Sequence, residues 1–360
     1  MEDGSQSPTI GVLKLSGPEL VYDEYVLEEL RKVYGTSLNE FLESLGKPNP
    51  RLYLRLNTLR KKELKDELDA FKQDEDFEEA YFVEVKGPNS LELYNTKVVV
   101  DKKTAESALL GSNVYRPGIK KIEGNDSKVS VISETGQHVA NGILRKDNMT
   151  VEVTESLYSS IKVAELDVVK KGLAISQGKA SMYVAKLLDP KPNELIVDMN
   201  AYPGGKLTHV YQLEPRARIV GFDHTRKKIE KLRNILDILK MKVDVYVADS
   251  RYLYEDLGIR DVDKVMIDPP CSALGVRPKI FDQKTRDDIQ NFSSYQKQFL
   301  NSAYKILKPG GTVIYSTCTT TLAENEEVVT DPRFEIELMI RFHPNVHQMT
   351  GFFIAKLIKR

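Results

Sequence analysis

Cys271 and Cys318 are the only two thiols in this chain of 360 residues. Each follows an apolar run that reads as a strand. Residues 263–267 lead into Asp268-Pro269-Pro270-Cys271, and residues 312–316 lead into Thr317-Cys318-Thr319. A cysteine in such a place is ordinarily a small buried filler. Two at neighbouring strand tips, with Asp268 alongside, suit a particular chemistry. Carbon 5 of a cytosine is too weak a nucleophile to take a methyl group from a sulfonium. A thiolate adding at carbon 6 makes carbon 5 enamine-like. An acid near ring nitrogen 3 or the exocyclic amine stabilises the adduct, and a base must then remove the carbon 5 proton so that the sulfur can leave. Asp-Pro-Pro followed by an aromatic serves amino-group methylation instead. Here a cysteine stands where that aromatic would be.

A second set of residues could hold the sulfonium donor. The apolar stretch Leu195-Ile196-Val197-Asp198 runs into Met199-Asn200-Ala201-Tyr202-Pro203-Gly204-Gly205-Lys206. Paired glycines in a strand-to-helix turn let the backbone approach a ligand closely. The motif is neither a dinucleotide fingerprint nor a phosphate-binding loop with its lysine spacing, and an ordinary tight turn would look similar. Asp223 ends the next strand, where an acid can take both hydroxyls of a ribose. Asp249 ends the one after, where it could accept from an adenine amine. Each acid alone is more often a cap. A glycine turn and two acids on three successive strand tips point to a nucleoside cofactor.

These positions must be held by a sheet. From about residue 168 strands and helices alternate: strands at 194–198, 218–223, 243–248, 263–267 and 312–316, and helices to about 213, at 226–240 and at 287–306. The alternation predicts a doubly wound α/β domain with a largely parallel sheet, whose ligands bind at the carboxyl ends of the strands. Upstream the texture differs. Residues 19–46 read as helical, 51–57 as a strand, 58–71 as an amphipathic helix, and 81–85 and 91–94 as strands. Between 95 and 167, short β-like runs at 97–100, 128–133, 138–144 and 151–153 alternate with Gly, Asn, Asp and Ser, and one short helix at 103–110 interrupts them. That spacing predicts a small β-barrel.

Hydrophobic residues make up 41% and charged residues 29%, the balance of a soluble globular chain with material for a sizeable core. No apolar run is long enough to span a membrane. The acidic start Met1-Glu2-Asp3-Gly4 has no signal-peptide pattern, so a cytoplasmic protein is expected. Two cysteines are too few for the usual zinc clusters, and no metal is expected. A net charge of −1 does not announce a nucleic-acid binder. Local basic clusters do occur, at Arg55, Arg60, Lys61 and Lys62, at Lys120 and Lys121, and at Arg226, Lys227, Lys228, Lys231 and Arg233.

The chemistry-bearing residues resemble the Sun family of RNA cytosine carbon-5 methyltransferases. Pro203-Gly204-Gly205-Lys206, Asp268-Pro269-Pro270-Cys271-Ser272 and Ser316-Thr317-Cys318 stand in that family's order and spacing. Thr350-Gly351-Phe352-Phe353-Ile354-Ala355 is similar to its last strand, and Arg55-Leu56-Asn57-Thr58-Leu59 to its N-terminal signature. The turn departs from the family's Ala-Ala-Pro-Gly-Gly-Lys-Thr at Tyr202 and Leu207, and Pro269 replaces the commoner alanine. The resemblance implies that Cys318 attacks, that Cys271 assists product release, and that Asp268 contacts the base with Lys206 beside it. It implies that Asn200, Ala201, Tyr202, Pro203, Gly204, Gly205, Lys206, Asp223, Lys228, Asp249 and Asp268 hold S-adenosyl-L-methionine. The middle segment is similar to a PUA domain, in Val99-Val100-Asp101, Ala105, Leu109-Leu110-Gly111, Arg116-Pro117-Gly118-Ile119 and Val139-Ala140-Asn141-Gly142. PUA domains bind structured RNA.

Together these imply a class I (Rossmann-like) methyltransferase sheet at 168–360, an inserted PUA β-barrel at 95–167, and a small α/β region at 1–94. The implied enzyme is a monomer that methylates tRNA at acceptor-stem position 72, with no membrane partner.

Overall fold

From Leu195 onward all the described strands except Phe281–Lys284 assemble into a single seven-stranded sheet. They are β1 (Leu195–Asp198), β2 (Arg218–Asp223), β3 (Asp244–Val247), β4 (Val262–Ile267), β5 (Leu307–Thr317), β6 (Phe334–Phe342) and β7 (Phe352–Lys359). They lie in the order β3-β2-β1-β4-β5-β7-β6. The first five are parallel, and β7 runs antiparallel to both β5 and β6. The structure is a computed structural model and describes residues 11–13, 17–64, 68 and 70–360.

Successive side chains on a strand point to opposite faces, so a strand covered on both sides is apolar throughout. Ile196, Met266 and Ile314 enter a core shared with the helices α1 (Lys179–Leu188), α2 (Gly205–Leu213) and α3 (Arg226–Leu239). Their neighbours Val197, Val265, Ile267, Val313 and Tyr315 enter the opposite core, against Phe299, Leu300, Ala303 and Ile306 of α4 (Arg286–Ile306). Thr285 caps α4 in a reciprocal box with Asp288. The chain winds outward through β2 and β3, then returns to place β4 on the other side of β1. The strand order therefore reverses between β1 and β4, where sheets of this kind open a ligand crevice.

Upstream the structure corrects several expectations. Residues 19–46 are not one helix. Glu19–Tyr22 is a strand, because Leu20 and Tyr22 alternate inward. A helix, Glu24–Tyr34, starts at Asp23, whose side chain accepts from Val26 N at 3.0 Å. It stops at Gly35, which takes φ +52°, and a second helix covers Leu38–Leu45. Residues Thr58–Glu63 form a 3-10 helix rather than the start of an amphipathic α-helix, and residues 65–67 and 69 lie outside the described residues. Residues 91–94 form no strand, and Leu93 is exposed.

The middle segment forms a five-stranded sheet in the order Thr150–Ser156, His138–Arg145, Lys128–Ser133, Thr96–Val100, Ile119–Glu123. Among the described residues no pairing joins its two edge strands, so a closed barrel is not formed. The Ile119–Glu123 strand escaped sequence reading because Lys120, Lys121 and Glu123 hide its alternation. Strand Phe281–Lys284 pairs in parallel with Glu19–Tyr22, Tyr22 Oη donates to Asp282 Oδ2 at 3.0 Å, and Ile280 packs into the core of the five-stranded sheet. Among the described residues no helix is long and apolar enough to cross a membrane.

Candidate active site

The loops that leave β1 and β4 are tied together across the crevice. Asn200 Oδ1 accepts from Asp268 N at 3.2 Å, and Asn200 N donates to Asp198 Oδ1 at 3.1 Å. Ala201 N donates to Phe222 O at 2.8 Å and pins the turn against β2. Gly204 opens α2 with φ +103°, and a Cβ there would meet Leu232 at 2.6 Å. The turn from Asn200 to Lys206 is thus a backbone cradle closed below by packed side chains. Asp198 is fully buried beneath it. Burial pushes its carboxyl up to about 7, against the opposing pull of the Asn200 N–H and Lys206.

Asp223, at the tip of β2, is buried, accepts from Thr225 N at 3.1 Å and has Lys228 Nζ at 3.6 Å. Lys228 in turn lies 5.8 Å from the centre of the Tyr202 ring. Asp249 lies just beyond the end of β3 and caps the short helix Ser250–Tyr252. Arg251 occupies both of its oxygens, with Nη2 at 2.6 Å and the backbone N at 3.1 Å, and these hydrogen bonds hold its carboxyl below the ordinary value. Of the acids read from the sequence, Asp223 keeps the freer carboxylate.

At the tips of β4 and β5 the sulfurs of Cys271 and Cys318 lie 3.3 Å apart, both as free thiols. That is far longer than a disulfide bond. The shared hydrogen bond lowers Cys318 and raises Cys271. Burial opposes the first effect and adds to the second, and around Cys318 the Asp268 charge opposes ionisation somewhat more than the Lys206 charge favours it. Lys206 Nζ sits 2.5 Å from Asp268 Oδ2, and Ser316 Oγ donates to Asp268 Oδ1 at 3.2 Å. Burial alone would lower the Lys206 ammonium, but Asp268 outweighs it and holds the group above its usual value. Two sulfurs, of which Cys318 is the more readily ionised, an ammonium and a carboxylate therefore meet at one point. That point opens onto a cavity of about 580 Å³ lined by Arg51, Tyr53, Lys179, Arg277, Cys318 and Phe352 among others.

Sequence reading missed two supports of this site. Arg55, fully buried, donates to Gly205 O at 2.6 Å and to Thr208 Oγ1 at 2.7 Å, and also to Gln177 Oε1. It was visible only as a basic residue in a family signature. Glu324 and Asn325, both buried, hydrogen-bond around the Cys318 loop. No motif spacing marks them.

A reversed Rossmann-like sheet with a glycine turn at β1, an acid at β2 and chemistry-bearing tips at β4 and β5 defines a methyltransferase α/β fold. Comparison with known proteins agrees. Residues 185–333 match the family model "16S rRNA methyltransferase RsmB/F". The chain is 35% identical to the tRNA (cytosine(72)-C(5))-methyltransferase of Pyrococcus horikoshii, over 94% of this chain and 98% of that one. It is 31% identical to the tRNA (cytosine(72)-C(5))-methyltransferase NSUN6 of Mus musculus, over 69% of this chain and 60% of that one. The crystal structure of NSun6 from Pyrococcus horikoshii with SFG superposes with a TM-score of 0.85 at 32% identity, covering 94% of this chain and 98% of that one. The chain belongs to the Sun, or NSUN, family of S-adenosylmethionine-dependent RNA cytosine carbon-5 methyltransferases.

Proposed function

We propose that the chain methylates carbon 5 of cytosine 72 in the tRNA acceptor stem, with Cys318 as nucleophile and Cys271 as the group that assists release. The carrying observation is the pair of thiols 3.3 Å apart, polarised so that Cys318 ionises first. Similarity to tRNA cytosine-72 methyltransferases over nearly the whole chain supports the substrate.

The cradle fits S-adenosyl-L-methionine. Gly204 leaves backbone where a side chain would clash, and Asp223 presents a buried carboxylate at the ribose position of such folds. On this reading Asn200, Ala201, Tyr202, Pro203, Gly204, Gly205, Lys206, Asp223, Lys228 and Asp249 would hold the cofactor, with Asp268 beside it on the loop after β4. The relative from Pyrococcus horikoshii was solved with SFG, an analogue of this cofactor. When bound, the cofactor supplies an electrophilic methyl group.

The chain's own residues do the rest. The Cys318 thiolate adds to carbon 6 of the base, while Asp268, steadied by Lys206 and Ser316, holds the polar edge of the ring. Once Cys318 is a thioether, Cys271 no longer faces a thiolate and ionises more readily. Its sulfur then takes the carbon 5 proton, the ring double bond re-forms, and the electron pair of the S–C6 bond leaves on Cys318.

Residues 95–167 serve as a PUA-type RNA-binding insert between a small N-terminal region (1–94) and the methyltransferase domain (168–360). Backbone contacts from such an insert would offset the cost of unstacking the target base. The enzyme works in the cytoplasm. Bisulfite sequencing of total RNA after incubation with protein and cofactor tests the reading. Protection at cytosine 72 of tRNA is expected, and protection only elsewhere would overturn the substrate.

A further inference from the structure

The two thiols do not set their own separation. Each sits in a loop, and one side chain grips both loops. Glu324 is fully buried. Its Oε1 accepts from Ser272 N at 2.8 Å and from Gln296 Nε2 at 3.2 Å. Its Oε2 accepts from Ser272 Oγ at 2.5 Å, Thr321 Oγ1 at 3.0 Å and Thr319 Oγ1 at 3.3 Å. Ser272 follows Cys271 and Thr319 follows Cys318, and their hydroxyls touch at 2.6 Å directly behind the sulfurs. The grip extends to the other side of each cysteine. Gln296 also donates to Pro270 O at 3.0 Å, and Asn325 Oδ1 accepts from Thr317 Oγ1 at 2.6 Å. Tyr315 Oη fixes the backbone of Glu324 itself by donating to its carbonyl oxygen at 2.7 Å.

Among the described residues no lysine or arginine pairs with this carboxylate, and hydrogen-bond donors alone satisfy it. Removing the carboxylate alone would strand these buried donors, so the cluster holds the two loops as one unit. The charge has a second effect, because it opposes ionisation of Cys271, after the larger influences of Cys318 and burial.

We infer that Glu324 is a positioning residue for the thiol pair, holding the Cys271 loop against the Cys318 loop and so setting the balance between formation and release of the cysteine–base adduct. This rests on the roles proposed above for the two sulfurs. Formation joins Cys318 Sγ to carbon 6 and needs only that sulfur in place. Release needs the Cys271 sulfur beside carbon 5 of the same ring, so it depends on the spacing that Glu324 fixes.

The test uses labelled tRNA and S-adenosylmethionine with the full chain. A denaturing gel gives the ratio of covalent adduct to methylated product for wild type, Glu324→Gln, Ser272→Ala, Cys271→Ala and Cys318→Ala. Glu324→Gln keeps the shape but removes the charge. The loosened grip on Ser272 is expected to outweigh the easier ionisation of Cys271, raising the ratio about fivefold and lowering kcat about tenfold, with KM for tRNA nearly unchanged. Ser272→Ala keeps the carboxylate and removes the hydroxyl link, and should shift the ratio about twofold in the same direction. Loss of folded protein lowers adduct and product together and leaves the ratio alone, so a merely structural role is excluded by a shift. A wild-type ratio in folded Glu324→Gln and Ser272→Ala overturns the inference about Glu324. A band from Cys318→Ala instead of Cys271→Ala overturns the assignment of the sulfurs, which is a separate failure.

Discussion

Arg55 Nη1 donates to the carbonyl oxygen of Gly205 at 2.6 Å, across 150 positions of sequence. The strand Arg51–Leu56 thereby holds the first turn of α2, the helix that opens at the glycine cradle. Burial lowers this guanidinium to about 9, so the contact is made by a group that water no longer stabilises. Lysine has the charge but not the fork that reaches Gly205, Gln177 and Thr208 at once. Arg55→Lys should destabilise the protein by about 1.5–3 kcal/mol and weaken cofactor binding. Denaturant unfolding and calorimetry measure the two effects, and unchanged values for both would show that the contact carries no strain.

Cys318→Ala is expected to bind S-adenosylmethionine normally and to methylate tRNA at less than about a hundredth of the wild-type rate, because covalent activation is lost. Radiolabel transfer to tRNA measures this. Turnover above that level would reassign the nucleophile.

Cys271→Ala should accumulate a slow-migrating protein–RNA band on a denaturing gel, whereas Cys318→Ala and the double variant should give none. Formation of the bond uses Cys318 with Asp268, and only its breakdown uses the second thiol. If neither single variant gives a band, another base takes the carbon 5 proton.

Asp223→Ala should weaken S-adenosylmethionine binding by about 1.5–3 kcal/mol, the loss of hydrogen bonds to a charged group, and should spare tRNA binding. Titration calorimetry reads the first and a filter-binding assay the second. Unchanged cofactor affinity would remove Asp223 from the ribose site.

Asp198 makes stability depend on pH. Burial pushes its carboxyl in the fold up to about 7, from an ordinary value of 3.8. A group raised on folding stabilises fully below its unfolded value, and the contribution is lost as pH rises through the folded value. Stability should therefore fall between about pH 4 and pH 7 and then level off as far as this group is concerned. In Asp198→Asn that part of the slope should vanish, as urea unfolding across the range would show. An unaltered slope would mean that Asp198 stays ionised when folded.

The central strands of the catalytic sheet were legible because both of their faces are covered, whereas the edge strand Phe334–Phe342, largely exposed, was not read. Strands such as Ile196–Val197 and Val265–Ile267 are unbroken apolar runs, and the reactive groups stand where those runs stop. The upstream region was harder. Leu20 and Tyr22 alternate within a run that also satisfies helical spacing, and its partner strands, Gly11–Leu13 and the distant Phe281–Lys284, decide the matter. The Lys120–Lys121 strand lies at a sheet edge, where solvent accepts polar side chains on both faces. Arg55 and Glu324 escaped for a further reason. Arg55 acts through partners 122 to 153 positions away and Glu324 through ones 28 and 52 positions away as well as near ones, whereas sequence spacing encodes only local geometry.

The pairing of Glu19–Tyr22 with Phe281–Lys284 has a consequence for biosynthesis. A ribosome completes the first of these strands long before it makes the second, and Tyr22 waits 260 residues for Asp282. During that interval the nascent chain exposes an unpaired strand edge, the kind of surface that attracts wrong partners. Such long-range closure also slows folding. The N-terminal region is therefore not an autonomous unit that can be finished first. It is locked by a late segment, so a chain truncated anywhere before residue 281 would leave its beginning, as well as its end, incomplete.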